Sequence, residues 1–170
     1  MIDNLPKFKY HPNLYNLGIV KFKNGICNCC GKITNAYIQN MYTSEEIDCI
    51  CLKCVSNGEA SKKFDGEFVQ DAEKISDKDK IDELFRRTPG YISWQGEHWL
   101  ACCDDYCEYI GTVGISELNE MNISEEVFKE FDNSGLSSDF CESLKKDGSP
   151  CGYLFRCLHC GKYRIWIDAV

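Results

Sequence analysis

Residues 27–54 read CNCCGKITNAYIQNMYTSEEIDCICLKC, and the four cysteines that bound this stretch in pairs decide the fold. Cys27 and Cys30 are followed by Gly31, and Cys51 and Cys54 repeat the spacing, giving C-x2-C-x20-C-x2-C. A tight turn between two cysteines aims both sulfurs the same way, and backbone N–H groups soften the thiolate charge. Glycine after the second cysteine lets the chain leave such a turn with positive φ. Two turns of this kind make a tetrahedral cage of four sulfurs, which suits zinc and leaves no position open for substrate.

A second set lies further on. Cys157 and Cys160 sit in CLHCG, again with glycine after the last cysteine. This half-site needs two more donors, and Cys103 and Cys107 are the best-spaced pair left, with Cys102 as an alternative ligand. The expectation is two structural zinc sites: Cys27, Cys30, Cys51 and Cys54 at one, and Cys103, Cys107, Cys157 and Cys160 at the other. Cys29, Cys49, Cys102, Cys141 and Cys151 remain, and buried free cysteine behaves as a small hydrophobe. A redox C-x-x-C motif would stand alone and open a helix in a βαβ setting, which several glycine-flanked pairs do not match.

Composition agrees with metal rather than disulfides. The chain has 170 residues and 13 cysteines, an odd number that forbids complete internal pairing. The first residues lack the features of a signal peptide, and no apolar run approaches the roughly 18 residues of a membrane span. A cytoplasmic location is therefore expected, where thiols stay reduced. The net charge of −8 argues against a sequence-independent grip on nucleic acid. Lys7, Lys9, Lys21 and Lys23 are the few basic residues that could support an alternative reading, an adaptor touching nucleic acid.

Around the knuckles the pattern alternates. IVKFKNGI (19–26) and NAYIQNMYT (35–43) read as strands, SNGEASKKF (56–64) as a short helix, and KIDELFRR (80–87) as a helix with Ile81, Leu84 and Phe85 on one face, capped by Ser76. That helix ends at Thr88-Pro89-Gly90. Ser124 and Ser138 are placed to cap two further helices, and YLFRCLHCGKYRIWI (153–167) reads as two strands joined by a knuckle. The fold expected is α+β: two small zinc-ribbon-like lobes with short β-hairpins and a few short helices, packed into one compact unit. Residues 1–75 form the N-terminal lobe, 76–90 a connecting helix, and 91–170 the C-terminal lobe with an acidic helical insertion at about 112–147.

Charge concentrates in that second lobe. Residues 103–142 hold eleven acidic residues against Lys129 alone, a local charge of −10. Asp104, Asp105, Glu108, Glu117, Glu120, Glu125, Glu126 and Glu130 are the candidate contacts for a basic partner, since such a surface speeds encounter and selects partners. No catalytic constellation stands out. His11 precedes Pro12 in a loop, His159 sits between two proposed ligands with its side chain expected to face solvent, and His98 near Cys102 and Cys103 has no evident orienting third group; the usual hydrolase, phosphate-loop and deaminase motifs are absent. The chain reads as non-enzymatic.

Taken together, LPKFKYHP (5–12), CNCCG (27–31), the Cys51/Cys54 pair, KKFDGEF (62–68), RRTPGY with WQ (86–95), WL (99–100), the Cys103/Cys107 pair and YLFRCLHCGKY (153–163) resemble the CbrC-like family. These are small bacterial proteins linked by name to colicin E2 tolerance. The resemblance spans nearly the whole chain and places all eight proposed ligands on recurrent cysteine positions. Family members often carry histidine where this chain has Cys102. The resemblance implies protection from a protein toxin, a nuclease whose basic cleft an acidic protein could fill without doing chemistry.

Overall fold

The computed structural model describes residues 4–131 and 137–168. It is a mixed α+β structure of short hairpins and short helices around three hydrophobic clusters. The first region opens with a hairpin of β1 (Gly25–Ile26) and β2 (Ile33–Thr34). A second antiparallel pair joins β3 (Tyr37–Ile38) to β4 (Ile50–Cys51). Helices α1 (Leu52–Ser56) and α2 (Glu59–Phe64) follow directly. The expected strand over 19–26 shrinks to β1 plus a single bridge between Lys21 and Tyr37. Phe8, Leu14, Ile38, Ile50, Leu52, Val55 and Phe68 form the core of this region.

A parallel pair, β5 (Asp71–Ala72) with β6 (His98–Trp99), brackets α3 (Lys78–Arg87). The cap of α3 is Asp77 rather than Ser76: its carboxylate accepts from the N–H groups of Asp79 and Lys80. Ser76 is held instead by Asp104, whose carboxylate accepts from the Ser76 N–H and hydroxyl. Leu84 is buried, with Ile81 and Phe85 packed beside it, and the helix ends at Thr88 as the following proline requires.

The chain then makes the hairpin β7 (Ala101–Cys102) and β8 (Asp105–Tyr106) and runs into β9 (Glu108–Val113). Among the described residues three α-helices follow: α4 (Ile115–Glu120), α5 (Ser124–Phe128), continued by a 3-10 turn over Lys129–Phe131, and α6 (Ser138–Glu142). Ser124 gives no side-chain cap to α5, and the α6 cap is Ser137, whose hydroxyl accepts from the Phe140 N–H, rather than Ser138. Strands β10 (Cys151–Arg156) and β11 (Tyr163–Asp168) complete an antiparallel sheet in the order β11-β10-β9.

Strand β10 is central in this sheet and buried on both faces. Side chains alternate along a strand, so Tyr153 and Phe155 meet the aromatic core while Leu154 faces the helices. In β9 the pairing slips: Leu154 stands opposite Gly111 and Phe155 opposite Tyr109, which leaves Ile110 as an extra residue. Such a bulge reverses the alternation. It sends Tyr109 to the aromatic core and Val113 to the helical side. The aromatic core gathers Tyr10, Tyr91, Trp99, Tyr106, Tyr109, Tyr153 and Phe155. Tyr91 stacks on Tyr109 at 4.3 Å between ring centroids. Each such side chain contributes roughly 1.5–3 kcal/mol by burial. Of the two tryptophans in the 94–99 stretch, Trp99 is fully buried and Trp94 is exposed.

The N-terminal segment serves both regions. Phe8 and Leu14 belong to the first core, whereas Tyr10 packs edge-on to Tyr106 in the aromatic one.

Candidate metal centres

Sulfur atoms converge at two places, each bringing four cysteines within 4.8 Å of one another. The first cage is Cys27, Cys30, Cys51 and Cys54, the set expected from spacing. Its first half is the turn of the β1–β2 hairpin. There the Cys27 N–H donates to Lys32 O at 2.9 Å, the Gly31 N–H donates to Cys27 O at 2.8 Å, and Gly31 takes φ 71°. The second half is a strand-to-helix step, with Cys51 ending β4 and Cys54 inside α1. Asn28 joins the halves. Its side-chain oxygen accepts from the N–H groups of Asp48 and Cys49, and its own N–H donates to Cys49 O. Lys63 covers the turn by donating to the carbonyls of Asn28 and Cys29.

The second cage is Cys102, Cys103, Cys157 and Cys160. Its C-terminal half repeats the first knuckle: the Cys157 N–H donates to Lys162 O at 2.8 Å, the Gly161 N–H donates to Cys157 O at 3.1 Å, and Gly161 takes φ 73°. Its other half corrects the expectation, because Cys102 occupies the place assigned to Cys107. The turn of the β7–β8 hairpin consists of Cys103 and Asp104, both left-handed at φ 56° and 53°. Two consecutive left-handed residues make the tight hairpin turn that matches strand twist, so Cys102 and Cys103 reach the tip together. Cys107 lies two residues behind Asp105, roughly 7 Å back along the strand. It is buried in the aromatic core, its carbonyl accepts from the Trp99 indole N–H, and burial pushes its thiol up to about 12.

The donor sets fit a thiophilic metal. Four sulfurs about 2.3 Å from a tetrahedral zinc stand about 3.8 Å apart. Cys102 lies 3.7 Å from Cys103 and 3.6 Å from Cys160, and Cys30 lies 4.0 Å from Cys51. The local backbone also favours thiolates. Burial is the largest influence on Cys27 and opposes its ionisation, but N–H groups of Cys30, Cys51 and Cys29 outweigh it and bring the thiol down to about 7. At Cys157 burial again opposes, and N–H groups of Cys160 and His159 bring it down to about 6. A low thiol pKa eases the proton release that metal binding requires.

Asp105 does for the second cage what Asn28 does for the first. Its side chain is 1% exposed. The carboxylate contacts His159 Nε2 at 2.8 Å, accepts from Tyr10 Oη at 2.8 Å, and lies 3.3 Å from Lys9 and 3.5 Å from Lys80. Burial opposes its charge, but the bonds from His159 and Tyr10 and the charge of Lys9 hold it at about 2. His159 stays about half exposed to solvent, 51% by side chain, and its ring also acts as the strut that fixes the knuckle to the β7–β8 hairpin. Sequence reasoning missed both stitching residues. Asn28 and Asp104-Asp105, polar residues suited to left-handed or turn backbone beside cysteine pairs, were the available signal.

The acidic candidates divide. Asp104 and Asp105 are tied down as described. Glu117 accepts from the Gly114 N–H and Glu126 from the Tyr163 N–H, while Glu130 pairs with Arg164 and Lys162. Glu120 and Glu125 are exposed, as are Asp139 and Glu142, and Glu108 is half-buried. Asp132 lies outside the described residues. Buried Leu118, Val127 and Leu144 pack this helical layer onto the sheet, leaving its exposed carboxylates on the outer side.

A family model for an uncharacterised protein family, UPF0167, matches residues 5–169. The chain belongs to the UPF0167 family. It is similar to a UPF0167 protein of Pseudomonas aeruginosa, 31% identical over 173 residues that cover 96% of this chain and 97% of the relative. UPF0167 proteins of Mycobacterium bovis and Mycobacterium tuberculosis are each 30% identical over 176 residues, covering 98% of this chain and 94% of the relative. No solved structure matches the chain. Among the described residues no helix is long and apolar enough to cross a membrane.

Proposed function

We propose that this UPF0167 protein is a zinc-stabilised, non-enzymatic binding protein that neutralises a basic protein toxin, a nuclease in the first instance. The observation that carries the scaffolding part is the pair of four-sulfur cages, each made by hairpin turns or a strand-to-helix step. Four protein sulfurs complete a tetrahedral zinc shell, so the metals would act as braces. The toxin part draws on the resemblance to CbrC-like proteins and on the net charge of −8. Internal pairing narrows the contact set to the exposed carboxylates of the helical layer: Glu120, Glu125, Asp139 and Glu142, with Glu108 nearby in sequence.

The test is binding and inhibition. The zinc-loaded protein is titrated with the purified nuclease domain of a toxin encoded beside its gene, at two salt concentrations. Tight binding that weakens at high salt, with loss of nuclease activity, supports the proposal. A combined Glu120→Lys and Glu125→Lys variant should bind at least tenfold more weakly. Failure of the wild type to bind or inhibit any neighbouring toxin would overturn the toxin reading and leave the metal reading intact.

A further inference from the structure

A cavity of 380 Å³ opens beside the 89–97 loop, between that loop and the segment following β3. Its wall is mixed: Ile38, Met41, Phe68, Tyr91 and Ile92 supply an apolar half, and the other half is polar. One charged side chain lines it: Glu97, a residue 8% exposed. Its carboxylate accepts from Tyr42 Oη at 2.5 Å and from the Gln70 N–H at 3.3 Å. Those donors are neutral, and no ion pair among the described residues involves Glu97.

The site is built to hold that carboxylate. A β-carbon at residue 90 would lie 2.0 Å from Glu97 Oε1, and one at residue 96 would lie 1.6 Å from Gln70 Oε1. Gly90 and Gly96 therefore let the loop close on Glu97 and on the residue whose N–H holds it. A buried carboxylate without a positive partner is costly, and it either takes a proton or finds a cation. Burial does push its carboxyl above the ordinary range. An occupant with a positive head and an apolar stem would satisfy the carboxylate and the aliphatic and aromatic wall together.

We propose that this cavity binds an alkylammonium group, with the cationic head against Glu97 and the stem along Ile38, Phe68 and Tyr91. The group could be a free primary amine or a lysine side chain presented by another protein, and the chemistry is the same. The site uses none of the carboxylates of the helical layer, so it stands apart from the toxin proposal.

The experiment is an amide NMR titration of the full-length, zinc-loaded protein with n-pentylammonium, with n-pentanol as the neutral control. Saturable shifts confined to residues near 38–42 and 89–97, with the alcohol at least tenfold weaker, are expected. Glu97→Gln should weaken the ammonium at least tenfold and leave the alcohol unchanged. Equal binding of alcohol and ammonium, unchanged binding by a folded Glu97→Gln, or no saturable shift would each overturn the proposal. If Glu97→Gln does not fold, Ile92→Arg serves instead. Residue 92 is exposed at the rim, and its tethered guanidinium should compete and weaken n-pentylammonium at least fivefold; no change would again overturn the site. N-acetyl-lysine amide separates the sources. Binding at least as tight as the free amine assigns a protein side chain, and binding tenfold weaker assigns a small amine.

Discussion

The two cysteine cages share one half and differ in the other. Cys27–Gly31 and Cys157–Gly161 are the same turn, with matching N–H donations and nearly equal left-handed glycines. Their partner halves are unlike. In the first cage, a second C-x2-C pair arrives on a strand running into a helix, close by in sequence. In the second, two adjacent cysteines arrive from a hairpin tip more than fifty residues upstream of Cys157. The stitching follows suit: the neutral amide of Asn28 joins the near halves, and the buried charge of Asp105 joins the distant ones. Halves brought from far apart lose more chain entropy on meeting, so the second cage depends more on the surrounding structure.

The largest expected effect is loss of both metals. Structural zinc contributes apparent folding free energies of about 10–16 kcal/mol, comparable to or above the roughly 5–15 kcal/mol net stability of a domain. A strong chelator under reducing conditions should therefore abolish the cooperative unfolding transition seen by circular dichroism, and zinc should restore it. Retention of a cooperative transition after complete metal removal would show that the cores hold the fold alone.

The next test concerns which sulfurs close the second cage. Elemental analysis should find two zinc ions per chain in the wild type. Cys102→Ser should lower this to about one, whereas Cys107→Ser should leave it at two and affect stability only. The reverse result would reinstate the spacing-based pairing.

The stitching residues come third. Losing a buried hydrogen-bonding partner costs about 1–3 kcal/mol, with charged groups at the upper end, and the cations around Asp105 are exposed enough to be resolvated. In denaturant melts of the zinc-loaded protein, Asp105→Ala should cost about 3 kcal/mol and Asn28→Ala about 1–2. Equal losses would erase the contrast drawn between the two cages.

The smallest effect is the pH dependence contributed by His11, which packs into the aromatic core of the second region. His11 is 1% exposed, with its Nδ1 2.8 Å from Pro89 O and its ring against Trp99 and Tyr109. The carbonyl fixes the proton on Nδ1, and Nε2 has no partner among the described residues. Burial lowers its pKa to about 4 from 6.5, against a smaller opposing influence of the Pro89 carbonyl. Between these values the unfolded chain takes up a proton that the folded one does not. The stability His11 contributes is thus fully present above about pH 6.5 and is lost as pH drops towards 4. From pH 7 to 5 the wild type should lose about 2 kcal/mol more than His11→Phe. Parallel slopes for the two proteins in urea titrations would remove His11 as the cause.

Local signals in the sequence determined what local physics controls. Gly31 and Gly161 mark the knuckles because only a left-handed exit completes those turns. Pro89 ends α3, and the pattern around 153–167 makes two strands. These features sufficed for the α+β class and for the whole first cage, whose ligands are near neighbours in the chain. Tertiary structure decided the rest. Cys102, Cys103 and Cys107 are chemically equivalent in a sequence, and only the pairing of β7 with β8 places the first two at a hairpin tip and the third in the core. The acidic run likewise looked uniform, yet folding spent Asp105, Glu117, Glu126 and Glu130 on internal partners and left Glu120 and Glu125 outside. Spacing cannot distinguish such residues, because the energy that sorts them comes from neighbours distant in the chain.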